Sequence, residues 1–130
     1  MELANPKIHR IFDTMDVFGP LTILMTMASK PFTEANPKLT QALLAATDEA
    51  IAWIPTHKTE AAETYIRVMK SKMTVDEIKA VLDDPESVFS TTPHGAMEYA
   101  RFLAQSGTIK AAPQRWQDMF IAPLHSRDGT

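Results

Sequence analysis

Residues 21–53 constrain this chain more than any other part of it. Leu21-Thr22-Ile23-Leu24-Met25-Thr26-Met27-Ala28 is an unbroken run of apolar residues and threonines, with Pro20 before it and Ser29-Lys30-Pro31 after it. The run holds no helical punctuation, so it predicts a strand, although periodicity alone does not separate a strand from a buried helical turn. Asn36-Pro37 follows, and it reads as a helix start: Asn can satisfy free N–H groups and Pro suits the first helical position. Leu39, Leu43, Ala46, Ala50 and Ile54 then recur at spacings of three and four, which puts them on one face of a long amphipathic helix. Pro55 ends it.

The rest of the chain supplies one more strand candidate and several short helices. Residues 7–14 are apolar-rich and compatible with a strand, and Asp16-Val17-Phe18-Gly19-Pro20 breaks it. A second helix is expected from about Thr59, with Glu60 and Glu63 suited to its positive start and Tyr65, Val68 and Met69 on its apolar side. Thr74-Val75-Asp76-Glu77 is a capping box opening a helix that carries Ile78, Val81 and Leu82, and Asp83-Asp84-Pro85 closes it. Thr92-Pro93 repeats the cap-plus-proline device ahead of Ala96, Tyr99, Ala100 and Leu103, with Gly107 as the stop. Pro113 begins a last turn containing Trp116, Met119 and Phe120, and residues 125–130 are expected to fray. The sum is two short strands and four or five helices. A two-stranded ribbon is marginal alone and its edges invite pairing. Either the helices carry the fold, or the strands pair with a second copy.

Composition excludes several classes of function. With 130 residues, one domain is the natural count. A net charge of -3 with both signs interspersed leaves no basic stripe, so no nucleic-acid partner is expected. The chain has no cysteine, which removes disulfides, thiol catalysis and Cys-ligated zinc. No segment approaches the roughly 20 apolar residues of a membrane span. Met1-Glu2-Leu3-Ala4-Asn5-Pro6-Lys7 lacks the charged, apolar and cleavage regions of an export signal. Expressed as written, the chain is expected in the cytoplasm.

The chemistry-bearing residues are sparse. His9, His57, His94 and His125 show no spacing of three or four between any two, so neither metal site nor metal cofactor is expected. The carboxylate pairs Asp13/Asp16, Asp48/Glu49 and Asp83/Asp84 sit in a turn, on a polar helix face and at a helix stop, where solvation explains them better than acid–base work. Ser90-Thr91-Thr92 ahead of Pro93 offers hydroxyls at a helix start, a fair place for an anion, but simple capping by Thr92 is the preferred account. No catalytic set assembles, and no enzyme is expected.

The order Leu21–Ala28 run, Ser29-Lys30-x-Phe32-x-x-x-Asn36-Pro37, and a helix closing on Ala50-Ile51-x-Trp53-Ile54 resembles the C-terminal part of ABC-transporter solute-binding proteins. The resemblance points to the nitrate/sulfonate/taurine-binding type and its thiamine-pyrimidine-binding relatives, and it extends through Thr74-Val75-Asp76-Glu77, Thr91-Thr92-Pro93, Gly107-Thr108-Ile109-Lys110 and Trp116-Gln117-Asp118-Met119-Phe120. It implies an α/β fold of the type II periplasmic-binding-protein kind, with a small anion or a pyrimidine-like ligand held between two lobes and delivered to a membrane permease. On that view residues 1–130 are a C-terminal segment: about 1–30 as crossing strands and hinge, 31–124 as helices packing on the first lobe, and 125–130 as a tail. The parent family is periplasmic. The turn before the crossing strand implies two ligand-binding residues: Gly19 for close backbone approach and Thr22 for a hydroxyl toward an oxyanion. Two other readings stay open, a stand-alone helical module that forms a homodimer by strand pairing and, behind it, a protein of pyrimidine-precursor synthesis.

Overall fold

A computed structural model describes residues 5–130, so the first four residues of the segment read above for an export signal lie outside it. The described residues order as α1 (Thr14–Phe18), α2 (Lys30–Ala35), α3 (Pro37–Trp53), α4 (Lys58–Met69), α5 (Val75–Asp83) and α6 (Ala96–Gln105), with 3-10 turns at Ile54–Thr56, Trp116–Met119 and Ala122–Leu124. Among them there is no strand and no sheet, which overturns the α/β expectation and both of its strands. The physical reason differs between the two. Residues 21–28 have no ladder: Thr22 N–H donates to the His94 carbonyl at 2.9 Å, and among the described residues Ile23 to Ala28 make no backbone hydrogen bond. A strand is defined by its partner, and this one has none. In residues 7–14 the end is helical instead, because Asp13 and Asp16 form a reciprocal capping box that starts α1.

The chain divides into two compact units. One takes the residues up to Ser29 together with Thr92–Thr130, and the other is Lys30–Thr91.

In the Lys30–Thr91 unit, Asn36 stands at the N-cap position of α3 but makes no side-chain cap. Its amide instead donates to the Phe32 carbonyl at 2.9 Å and closes α2, while Pro37 opens α3 as expected. The face that α3 turns inward is not the one periodicity indicated. Thr40, Leu44, Asp48 and Ile51 are the half-buried positions, whereas Leu39 and Leu43 are each 56% exposed. Asp48 lies on that inward face, and its carboxylate accepts a 2.5 Å hydrogen bond from the Thr91 hydroxyl. α4 shows the same shift: Ala62 is fully buried and Ile66 half-buried, while Tyr65, Val68 and Met69 face outward. α4 packs against α5, whose Ile78 is buried, and Lys58 pairs with Asp83 across the two helices. That ion pair is partly exposed and adds little; the Ala62 and Ile78 burial carries the contact. At its far end α4 stops at Lys70 in the left-handed region (φ 51°), a conformation more usual for glycine.

The capping box of α5 forms as its sequence indicates. Glu77 N–H donates to the Thr74 hydroxyl at 3.2 Å, and the Glu77 carboxylate accepts from Thr74 N–H at 2.8 Å and from its hydroxyl at 3.0 Å. Those bonds, the backbone one first, hold the Glu77 carboxyl below its ordinary range.

Thr74→Ala is expected to destabilise the Lys30–Thr91 unit by about 1 kcal/mol in chemical denaturation, the usual cost of losing an N-cap. The Glu77 effect has a defined sign. A depressed folded pKa contributes stability that is present above the ordinary carboxylate range and lost as pH falls through the lowered value. Glu77→Gln is therefore expected to flatten part of the acid limb of the stability–pH curve, measured by melting temperature across an acid titration.

Candidate functional site

The first unit contains a cleft of about 460 Å³, and three of the residues expected to form a strand line it. Leu21, Thr22 and Met25 form one wall. Ala96, Tyr99, Ala100 and Leu103 of α6 form another, and Met119 with Phe120 closes an end. The spacing of the α6 residues explains their convergence, because positions 96, 99, 100 and 103 share one helical face. Phe18 of α1 braces that helix from the side, with edge-on ring contacts to Tyr99 at 6.1 Å and Phe102 at 5.6 Å.

What fixes residues 21–25 beside α6 is a reciprocal clip. Thr22 N–H donates to the His94 carbonyl, and His94 N–H donates to the Thr22 hydroxyl, both at 2.9 Å and across 72 positions of sequence. The adjoining Gly95 makes the approach possible. It has φ +64°, and a Cβ there would lie 2.8 Å from the Pro20 carbonyl oxygen. Gly95 also takes the N-cap position of α6, so Thr92 does not cap this helix as its sequence indicated.

The C-terminal residues complete the arrangement. Thr130 N–H donates to the Pro93 carbonyl at 3.0 Å, while Gly95 N–H donates to the Thr130 hydroxyl and Ala96 N–H to its backbone oxygen, each at 2.9 Å. Gly129 lies flat on the Trp116 ring, where a Cβ would come within 2.8 Å of the indole. The tail expected to fray is thus docked, and it occupies the free N–H groups at the start of α6. Trp116 itself is buried, with Phe120 and His125 edge-on to it at 5.9 and 6.1 Å. The Arg115 guanidinium beside Asp118 holds that carboxyl below its ordinary range at the same turn.

The two residues implied as ligand contacts end in different places. Thr22 lines the cleft, but its hydroxyl oxygen already accepts from His94 N–H. Gly19 is the C-cap of α1, with φ +65° and open space where a Cβ would stand, and it is not part of the cleft wall. The wall carries no Lys, Arg, His, Asp or Glu; its side-chain polar groups are the hydroxyls of Thr22 and Tyr99. Chemically it suits an apolar moiety and offers no counter-charge to an anion. Tyr99, Leu103, Met119 and Phe120 read in sequence only as helix-packing residues, and no local pattern joins them to Leu21 and Met25.

The histidines are dispersed. His57 stacks on Trp53 with centroids 4.4 Å apart, and the His125 ring bonds the Phe120 carbonyl at 2.9 Å. Among the described residues no group of three or more His, Asp or Glu could hold a metal ion, and no helix is long and apolar enough to cross a membrane. No protein-family model, curated protein or solved structure matches the chain.

Two substitutions test the clip. Thr22→Val keeps the shape but leaves His94 N–H without its acceptor, with an expected loss of about 1 kcal/mol or more. Gly95→Ala forces a left-handed alanine against the Pro20 carbonyl and is expected to cost more than about 1 kcal/mol. Both are read by denaturant titration in a Trp53→Phe background, which leaves Trp116 fluorescence as the reporter of the first unit.

Proposed function

We propose that this chain serves in the substrate-binding component of an ABC transporter for a small organic or inorganic anion, such as a sulfonate, taurine or nitrate. The role is binding and delivery to a membrane permease, without chemistry, in a parent system that is periplasmic. The observation that carries this reading is the segment from α2 to the turn at Ile54–Thr56. There the residues of the resemblance coincide with element boundaries: Asn36 closes α2, Pro37 opens α3, and Trp53 ends it beside a stacked His57.

Within such a component the chain contributes packing more than ligand contacts. Its cleft offers the Thr22 and Tyr99 hydroxyls and no cation, so the charge of an anion is met by residues that do not line it. In this reading Thr22 would meet a ligand by its hydroxyl hydrogen, a role supported by its position on the cleft wall.

Calorimetric melting tests the reading, using nitrate, taurine and ethanesulfonate against the chain alone and against the chain mixed with the polypeptide encoded immediately upstream. One of the three is expected to stabilise the mixture, by about 2.7 kcal/mol at a hundred times its Kd. No stabilisation in either preparation, with an upstream neighbour unrelated to any binding protein, overturns it.

A further inference from the structure

The cleft of the first unit has a buried floor and an open rim. Ala96 and Ala100 of α6 are only 7% and 5% exposed, whereas Met25, Tyr99 and Met119 are 50%, 42% and 41% exposed. The space exists because short side chains line it: Ala111 and Ala112 stand in the wall besides the two alanines of α6. Protein interiors pack to the density of organic crystals, so a gap of about 460 Å³ between apolar walls is room for a guest rather than loose packing. It falls within the range of roughly 300–1,000 Å³ over which proteins hold small molecules. A single helical turn, about 10–12 Å across with its side chains, already takes roughly 500 Å³, so the cleft has no room for a polypeptide element.

Charge and hydrogen bonding decide what kind of guest fits. The wall carries no Lys, Arg, His, Asp or Glu. Of the cations nearest in sequence, Lys110 is not part of the wall and Arg115 is paired with Asp118. A helix start is the other common source of positive potential. Here the Gly95 and Ala96 N–H groups at the start of α6 already donate to Thr130. An anion entering the cleft would lose its water and gain no counter-charge, which is a costly transfer. A neutral acceptor is better served. The Thr22 hydroxyl accepts from His94 N–H and keeps its hydrogen to donate, and the Tyr99 hydroxyl makes no hydrogen bond among the described residues.

We propose that this cleft binds one uncharged, largely apolar small molecule whose carbonyl or ether oxygen is met by the Tyr99 hydroxyl, with Thr22 as a second donor on the wall. The ligand is distinct from the anion of the transport reading, and the inference does not rest on that reading.

Titration of the full chain with the uncharged naphthyl ketone Prodan, whose emission moves to the blue as it leaves water, tests it. One Prodan per chain is expected to bind. Acetylnaphthalene is expected to displace it where an equal concentration of naphthalenesulfonate does not. Tyr99→Phe keeps the ring beside Phe18 and Phe102 but removes the hydroxyl, and is expected to weaken Prodan about fivefold. Ala111→Trp, at an exposed position of the wall, is expected to fill the cleft and abolish binding while keeping the parent's helical circular dichroism. If that variant loses its helices, Tyr99→Phe decides alone. The inference is overturned by a lack of saturable binding, by displacement as ready with the sulfonate as with the ketone, or by an affinity unmoved by Tyr99→Phe or by a folded Ala111→Trp. Binding that weakens as the chain is concentrated, the mark of a second copy in the cleft, overturns it as well.

Discussion

The first unit depends on one two-way hydrogen bond, between the backbone of Thr22 and His94 in one direction and from His94 to the Thr22 hydroxyl in the other. Several features that bound this unit are adjacent to that clip. Gly95 sits beneath Pro20 only because it lacks a Cβ, α6 begins at the next residue, and Thr130 returns to take the N–H groups that the helix start leaves free. Without the clip, Leu21 and Met25 have no reason to face Tyr99 and Leu103, and the cleft loses one side. Apolar contact supplies attraction here, but directional hydrogen bonds choose which residues meet.

What was legible in the sequence follows the range of the interaction that decides each feature. The Thr74 capping box, the Pro37 start and the Gly107 stop of α6 are settled within four residues, and the structure has each of them. The Asp13–Asp16 box was equally local and was missed because Asp in the acceptor position of the third residue is a weaker signature than Glu. Helix faces were misread for α3 and α4. In α3 the apolar stripe through Leu39 and Leu43 gives way to one that includes Asp48, whose carboxylate takes a half-buried hydrogen bond from the Thr91 hydroxyl while the two leucines stay exposed. Periodicity counts apolar residues, and it cannot weigh a partner 43 positions away.

The strands failed for a related reason. Residues 21–28 are neither helix nor strand: a sheet needs a second segment, and among the described residues none pairs with this run. The site was legible in part. Thr22 does border the cleft, yet Gly19 serves to end α1, and the residues that shape the cavity come from four separate stretches whose meeting no local pattern announces.

The interruption of the first unit by residues 30–91 also dictates an order of events during synthesis. The Lys30–Thr91 unit is continuous in sequence and can close as soon as it emerges, whereas Thr22 must wait for His94, 72 positions later, before its segment is clipped. For that interval Leu21 and Met25 travel on the nascent chain without the α6 face they line the cleft with once the clip has formed.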